Sequence, residues 1–355
     1  MTMPDALPAS ASASADSPGS PAGTPVLDIQ GLTTSLLIGG VLQPIVREMS
    51  LTIHAGEVVG LVGESGSGKS VTARSIIGLL PPGARSTGQV CFLGNDTLSM
   101  SRRELRKVRS DQIGMIFQDP RAHIDPLWTI EDYIGEGLRL HKGMTKRQAR
   151  ERSATLLHSL GIAEADRVLG AYPGQLSGGM LQRVMIAGAL SCEPELLIAD
   201  EATTALDVTV QSDILAILRD LQESRGLSLL FITHDLALAS VLCDKVVVMY
   251  AGRPMAMQSA ADLFEAPAHP YAAALVGARP RLDRRVERLQ VVPGRPASAR
   301  ETTTGCPFRE RCSYAIAECE QMTPSLYQLQ PGTLTECIRA DELRGQMKES
   351  VHLGD

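Results

Sequence analysis

Short apolar runs without polar alternation recur along the chain, and each reads as a strand buried on both faces. They are Val58-Val59-Gly60-Leu61-Val62, Leu196-Leu197-Ile198-Ala199, Leu229-Leu230-Phe231-Ile232 and Val246-Val247-Val248-Met249. Between them lie helical patterns. Val71–Ile77 is one, and Val208–Arg225 is another, with Asp207 placed as its N-cap and Gly226 as its stop. Residues 26–62 alternate strand-like runs with turn signals at Gly39-Gly40 and His54-Ala55-Gly56, and residues 89–98 and 112–117 read as further short strands. Residues 126–175 change character, with Leu, Arg and Glu at helical spacing; Glu151–Leu160 is the clearest amphipathic stretch. Strands alternating with helices predict an α/β fold whose mostly parallel sheet carries helices on both faces. Past residue 265 the pattern dissolves into Pro, Arg and Cys, which reads as a small appended domain.

Composition narrows the picture. The chain has 355 residues, enough for one large or two modest domains, with 44% hydrophobic and 21% charged residues. A net charge of −6 supplies no general attraction to nucleic acid or acidic lipid. No apolar run approaches the ~20 residues of a membrane-spanning helix. Residues 1–25 are rich in Ala, Ser and Pro and lack Lys and Arg, which predicts a disordered tail rather than a secretory signal, and hence a cytoplasmic protein. In that compartment the seven cysteines are poor candidates for structural disulfides. Cys91, Cys192 and Cys243 sit in apolar surroundings and read as small core residues, whereas Cys306, Cys312, Cys319 and Cys337 gather near the C-terminus.

Chemistry enters at Gly63-Glu64-Ser65-Gly66-Ser67-Gly68-Lys69-Ser70, which fits G-x-x-x-x-G-K-[ST] between a strand and a helix. Its glycines let backbone N–H groups turn around phosphate oxygens at a helix N-terminus. Lys69 would reach the β- and γ-phosphates of a nucleotide, and the Ser70 hydroxyl would sit on Mg²⁺. Asp200 and Glu201 close the strand 196–199, at the sheet edge where ligands bind in such folds. Asp200 would hold Mg²⁺, and Glu201 would orient and polarise the attacking water. Gln118, after the strand Gly114–Phe117, can touch both metal and water. His234, after the strand 229–232, can hydrogen-bond the γ-phosphate. Alone, each of these two would read as an ordinary surface or structural residue.

The order phosphate loop, Gln118, Leu176-Ser177-Gly178-Gly179-Met180, Asp200-Glu201, Asp207, His234 resembles the ATPases of ATP-binding cassette (ABC) transporters over about residues 26–260. The resemblance implies a phosphate-loop, RecA-like core with a helical subdomain at about 119–190 and an antiparallel β-subdomain, within a cassette at 26–264. It also implies ATP held between two cassettes paired head to tail. Ser177, Gly178 and Gly179 of one would meet the γ-phosphate bound by the other, and Asp207 would cross the interface. With one phosphate loop and no internal repeat, the second cassette must be another chain, either a copy or a paralogue.

Met115-Ile116-Phe117-Gln118-Asp119-Pro120, Leu176-Ser177-Gly178-Gly179-Met180, Ala205-Leu206-Asp207-Val208-Thr209-Val210-Gln211, His269-Pro270-Tyr271 and Gly305-Cys306-Pro307-Phe308…Arg311-Cys312 are similar to the oligopeptide/dipeptide importer branch, to about residue 340. That implies ATP hydrolysis driving peptide import, at the cytoplasmic face of the membrane. The implied partners are two membrane-spanning permease subunits and an external substrate-binding protein, with nickel or another small solute as the alternative cargo. The segment Gln118–Trp128 would contact the permease. Ala202 replaces the branch's usual Pro, Ala122–Asp125 departs from its pattern, and Leu36, Leu37 and Ile38 stand where an adenine-stacking aromatic is common.

Cys306, Cys312, Cys319 and Cys337 are separated by five, six and seventeen residues, unlike the paired spacing of common zinc sites. Four such thiolates suit a 4Fe–4S cluster or zinc, and free thiols remain a third reading. The importer resemblance favours the cluster, in a C-terminal domain at 265–345 before a tail at 346–355. A soluble cassette ATPase acting on DNA or ribosomes would show tandem cassettes, a long coiled-coil insertion or a basic surface. A redox protein with a regulatory cassette would not need Glu201 and His234. A phosphate-loop kinase or GTPase would lack Leu176–Met180.

Overall fold

The computed structural model describes residues 25–203, 207–278, 292–302, 304–322 and 325–352. The expected disordered tail therefore lies outside the described residues up to position 24, as does Thr204-Ala205-Leu206. The chain enters on a hairpin, β1 (Leu27–Ile38) and β2 (Val41–Ile53), turned where Gly39 and Gly40 take positive φ. Strand β3 (Val58–Val62) leads through the phosphate loop into α1 (Lys69–Ile76). Strands β4 (Arg85–Phe92) and β5 (Asn95–Asp96), helix α2 (Arg102–Asp111) and strand β6 (Ile113–Ile116) follow. The helical insert holds α3 (Pro120–His123), α4 (Ile130–His141), α5 (Lys146–Ser159), α6 (Ala165–Leu169) and α7 (Gly178–Leu190). Alternation then returns with β7 (Leu196–Asp200), α8 (Val208–Arg225), β8 (Ser228–Thr233), α9 (Leu236–Leu242) and β9 (Lys245–Tyr250). The rest comprises β10 (Arg253–Ser259), α10 (Ala260–Glu265), α11 (Pro270–Gly277), α12 (Glu318–Gln321), β11 (Tyr327–Gln330), β12 (Thr333–Thr335) and α13 (Ala340–His352).

Two sheets result. The smaller is antiparallel in the order β2-β1-β4-β5; the larger has eight strands in the order β11-β12-β10-β9-β3-β8-β7-β6. Within the larger, β9, β3, β8, β7 and β6 run parallel. Their side chains are almost wholly buried, as a sheet covered on both faces requires. Register places Val62 beside Thr233, Ile232 beside Asp200 and Ala199 beside Ile116, so four strands end along one line. The residues at and after those ends meet there: the phosphate loop after β3, Thr233 ending β8 with His234 after it, Asp200-Glu201 at the end of β7 and Gln118 after β6.

Local rules account for the helices. Asp207 caps α8, its Oδ1 accepting from the Val210 N–H at 3.0 Å, and Gly226 ends the helix at φ 63°. Helix α5 begins at Lys146, ahead of the predicted amphipathic stretch, because Thr145 and Gln148 form a reciprocal cap. Helix α1 begins at Lys69 rather than Val71, because Gly68 at φ 105° turns the loop straight into it.

Two expectations for the C-terminal part are corrected. It is not set apart from the core: β12 pairs antiparallel with β10, and β11 with β12, so its strands extend the main sheet. Residues 346–352 are not a loose tail but complete α13, which buries Ala340, Leu343 and Met347 at helical spacing. Of the three cysteines read as core residues, Cys192 and Cys243 are buried, whereas Cys91 is half-exposed.

Candidate functional site

The phosphate loop wraps around its own lysine. Lys69 is buried, and its Nζ donates to the carbonyls of Gly63 at 2.8 Å and Glu64 at 3.0 Å. Burial lowers its pKa, while Glu201, Asp200 and Glu64 counter that by favouring the cation. Gly63 has to be glycine: at φ 155° a Cβ would lie 2.2 Å from the Met249 carbonyl oxygen. The Ser70 Oγ donates to Asp200 Oδ1 at 2.8 Å. Burial pushes the Asp200 carboxyl above its ordinary range, and the Ser70 hydrogen bond opposes it. Ser70 and Asp200 would hold a divalent cation, and their hard oxygen donors at the phosphate loop suit Mg²⁺.

Glu201 is held by backbone and side chain together. It takes a left-handed conformation at φ 51°, uncommon for a residue with a Cβ, and its N–H donates to the Ile232 carbonyl at 3.0 Å. The Gln118 Nε2 donates to Glu201 Oε2 at 2.8 Å, and His234 Nδ1 lies 3.7 Å from the same oxygen. Gln118, Glu201 and His234 line one cleft with Gly63, Glu64, Ser65, Gly66, Gly68, Lys69 and Ser70. The cleft has a volume of about 770 Å³, large enough for a nucleotide. Its apolar wall comes from Ile45 of β2, Leu275 and Pro296. Leu36, Leu37 and Ile38 do not line it. They pair with Gln43, Leu42 and Val41 at the hairpin tip, which carries them past the cleft.

Ser177, Gly178 and Gly179 also stand apart from this cleft. They open α7, where the Ser177 Oγ accepts from the Met180 N–H at 3.3 Å. Ser177 and Gly178 are exposed, and a Cβ on Gly178 would touch nothing within 4 Å. Asp207 is likewise exposed and caps its own helix. The structure thus gathers Gly63–Ser70, Gln118, Asp200, Glu201 and His234 into one site and leaves the second group facing outward.

Sequence reasoning missed Gln182. Its Nε2 donates at 2.6 Å to the carbonyl of Ala202, tying the helical insert to the turn after Glu201. A polar residue on the buried side of α7 was the available signal.

Cys306, Cys312, Cys319 and Cys337 line one small pocket with His269, Phe308 and Arg339. None of the four is in a disulfide. Burial, reinforced by the neighbouring cysteines, pushes the Cys306 thiol up to about 12 and the Cys337 thiol up to about 11. His269 caps α11 through Nδ1, and its buried Nε2 has no partner among the described residues. Among those residues no group of three or more His, Cys, Asp or Glu is arranged to hold a single metal ion. No helix among them is long and apolar enough to cross a membrane.

Residues 46–204 match the ABC transporter family, and residues 256–319 match the oligopeptide/dipeptide transporter C-terminal region. The chain is 43% identical over 321 residues to a probable peptide ABC transporter ATP-binding protein of Sinorhizobium fredii, covering 90% of this chain and 96% of that one. It is 45% identical over 297 residues to the oligopeptide transport ATP-binding protein OppD of Salmonella typhimurium, covering 84% and 88%. The solved dimeric structure of MJ0796, a bacterial ABC transporter cassette, matches with a TM-score of 0.60 and 29% identity, over 66% of this chain and 98% of that one. Nucleotide cleft, strand order and similarity over most of its length agree: the chain belongs to the ABC transporter ATPases, among the ATP-binding subunits of the peptide-transporting branch.

Proposed function

We propose that this chain hydrolyses ATP to energise the import of di- and oligopeptides across the cytoplasmic membrane, as a peripheral subunit on its inner face. The observation that carries the reading is the joint match of the cassette and of residues 256–319, a C-terminal region described for oligopeptide/dipeptide transporters. Its partners would be a second cassette, two membrane-spanning permease subunits and an external substrate-binding protein. Leu127 is 83% exposed, and Trp128 is exposed beside it, downstream of Gln118. They offer an apolar surface where the cleft could report to a permease.

In the mechanism, ATP supplies its triphosphate to the phosphate loop. Lys69 neutralises the β- and γ-phosphates. Ser70, Asp200 and the Gln118 amide oxygen would hold Mg²⁺, which would screen the phosphate charge. Glu201 accepts a proton from the attacking water, and His234 steadies the γ-phosphate. The second γ-phosphate contact comes from Ser177–Gly179 of the other cassette, whose N–H groups open a helix. To test the transport reading, the membrane complex is captured through a tag on this chain and reconstituted in lipid vesicles. ATP-dependent uptake of labelled peptides supports it; ATP-dependent uptake of nickel without peptide uptake overturns it.

The four cysteines would hold a 4Fe–4S cluster of structural role. Their convergence on one buried pocket supports this, as does the unpartnered His269 Nε2 beside them. Protein prepared without oxygen is expected to be brown, with iron and sulfide each at about four per chain. Replacing any one of the four cysteines should bleach it and lower its melting temperature. Colourless protein carrying one zinc per chain establishes the alternative.

A further inference from the structure

The phosphate loop carries a carboxylate, Glu64, that lines the same cleft as Lys69 and Ser70. An unpaired carboxylate there would repel a polyphosphate. It is paired by a residue 247 positions away: Arg311 Nη1 donates to Glu64 Oε2 at 2.6 Å, and Nη2 donates to Oε1 at 3.0 Å. This is the two-pronged geometry that only a guanidinium provides. Arg311 is only 5% exposed at its side chain. Its Nε donates to the Pro293 carbonyl at 2.7 Å, and its Nη1 also donates to the Tyr250 hydroxyl at 3.2 Å. The guanidinium carbon lies 5.5 Å from the Tyr250 ring centre and 5.9 Å from that of Phe308. Tyr271 completes the arrangement. Its hydroxyl accepts from the Glu64 N–H at 3.2 Å and donates to Glu64 Oε2 at 3.3 Å. Arg311 ends the short turn Arg309–Arg311 and immediately precedes Cys312.

We infer that Arg311 is a positioning residue of the nucleotide site: it neutralises and orients Glu64, so that the phosphate loop binds a polyphosphate more tightly with the C-terminal region in place. The inference rests on nucleotide binding at this loop and adds a requirement the cassette residues alone do not state. The competing account is an ion pair that merely fastens the C-terminal region to the core. The two differ in charge logic. If Arg311 acts on Glu64 electrostatically, removing the arginine alone exposes the carboxylate, whereas removing both leaves no charge to repel the ligand.

The test measures dissociation constants of ATP, ADP and AMP for the full chain and its variants, with the melting temperature of each nucleotide-free protein. Arg311→Gln should weaken ATP binding about tenfold or more, from Coulomb repulsion at intermediate dielectric. The loss should shrink from ATP to ADP to AMP as ligand charge falls. Glu64→Gln/Arg311→Gln should return ATP affinity to within about threefold of the parent. Unchanged ATP affinity in Arg311→Gln overturns the inference. So does a double variant as weak as Arg311→Gln, or an equal loss for all three nucleotides. If Arg311→Gln does not fold, Arg311→Lys decides: it keeps the charge beside Glu64, so ATP affinity should stay within about threefold of the parent, and a larger loss equal for all three nucleotides overturns the inference. A parent chain that bound no ATP would instead remove the nucleotide reading beneath it.

Discussion

Glu201→Gln is expected to keep ATP affinity in the assembled transporter and to lose turnover by about 10²-fold or more, the scale of removing a general base. The substitution preserves size and keeps an oxygen able to accept from Gln118, whose Nε2 lies 2.8 Å from Oε2. It removes the negative charge and the basicity that would draw a proton from water. The strained backbone at φ 51° matters here, because it sets the direction in which the side chain leaves the end of β7. Lys69, Ser70 and Asp200 are untouched, so nucleotide and Mg²⁺ should still bind. Two cassettes would then close on ATP and stay closed. Single-turnover hydrolysis and the fraction of closed pairs measure the two halves of this expectation. Near-normal hydrolysis by the assembled variant would remove Glu201 from the role of base.

Ser177→Arg is expected to leave ATP binding by the isolated chain within about twofold of the parent, a surface-scale perturbation. Hydrolysis and peptide uptake by the complex should fall at least about tenfold, as a large side chain displaces a γ-phosphate contact. The split follows from geometry. Ser177 is exposed at the start of α7 and does not line the cleft of its own chain. Under the proposed head-to-tail pairing, a second cassette brings it to a phosphate. Loss of ATP binding by the isolated variant would sink the head-to-tail arrangement; full transport by the assembled variant would show that Ser177 is not at the interface.

The core of the fold was legible because its signals are local. Asp207 and Gly226 bound α8 as their cap chemistry requires, and buried apolar runs marked β3, β7, β8 and β9. The site was legible for a related reason. In a parallel sheet the residues after each strand share one edge, which placed Asp200 and Glu201 beside the phosphate loop, whereas Gln118 and His234 joined them only through the order of motifs that resembles cassette ATPases. What escaped depends on partners distant in sequence. Nothing around Arg311 announces Glu64, and Thr333–Thr335 is too short a run to reveal that it pairs with β10. The apolar wall of the cleft was sought at Leu36–Ile38 and lies at Ile45, because the hairpin tip carries the former away. Helix α13 is different. Its buried Ala340, Leu343 and Met347 have ordinary helical spacing, masked by the surrounding charged residues.

The pairing of β12 with β10 bears on how the molecule is made. Synthesis proceeds from the N-terminus, so β10 leaves the ribosome and can join β9 well before Thr333–Thr335 exists. In that interval β10 is a bare edge, with a row of backbone donors and acceptors open to any neighbouring strand. A chain halted or clipped before β12 keeps that edge permanently. Nascent copies on one messenger would then be one another's nearest wrong partners, and the closing residues of the C-terminal region would act first as a shield against such pairing.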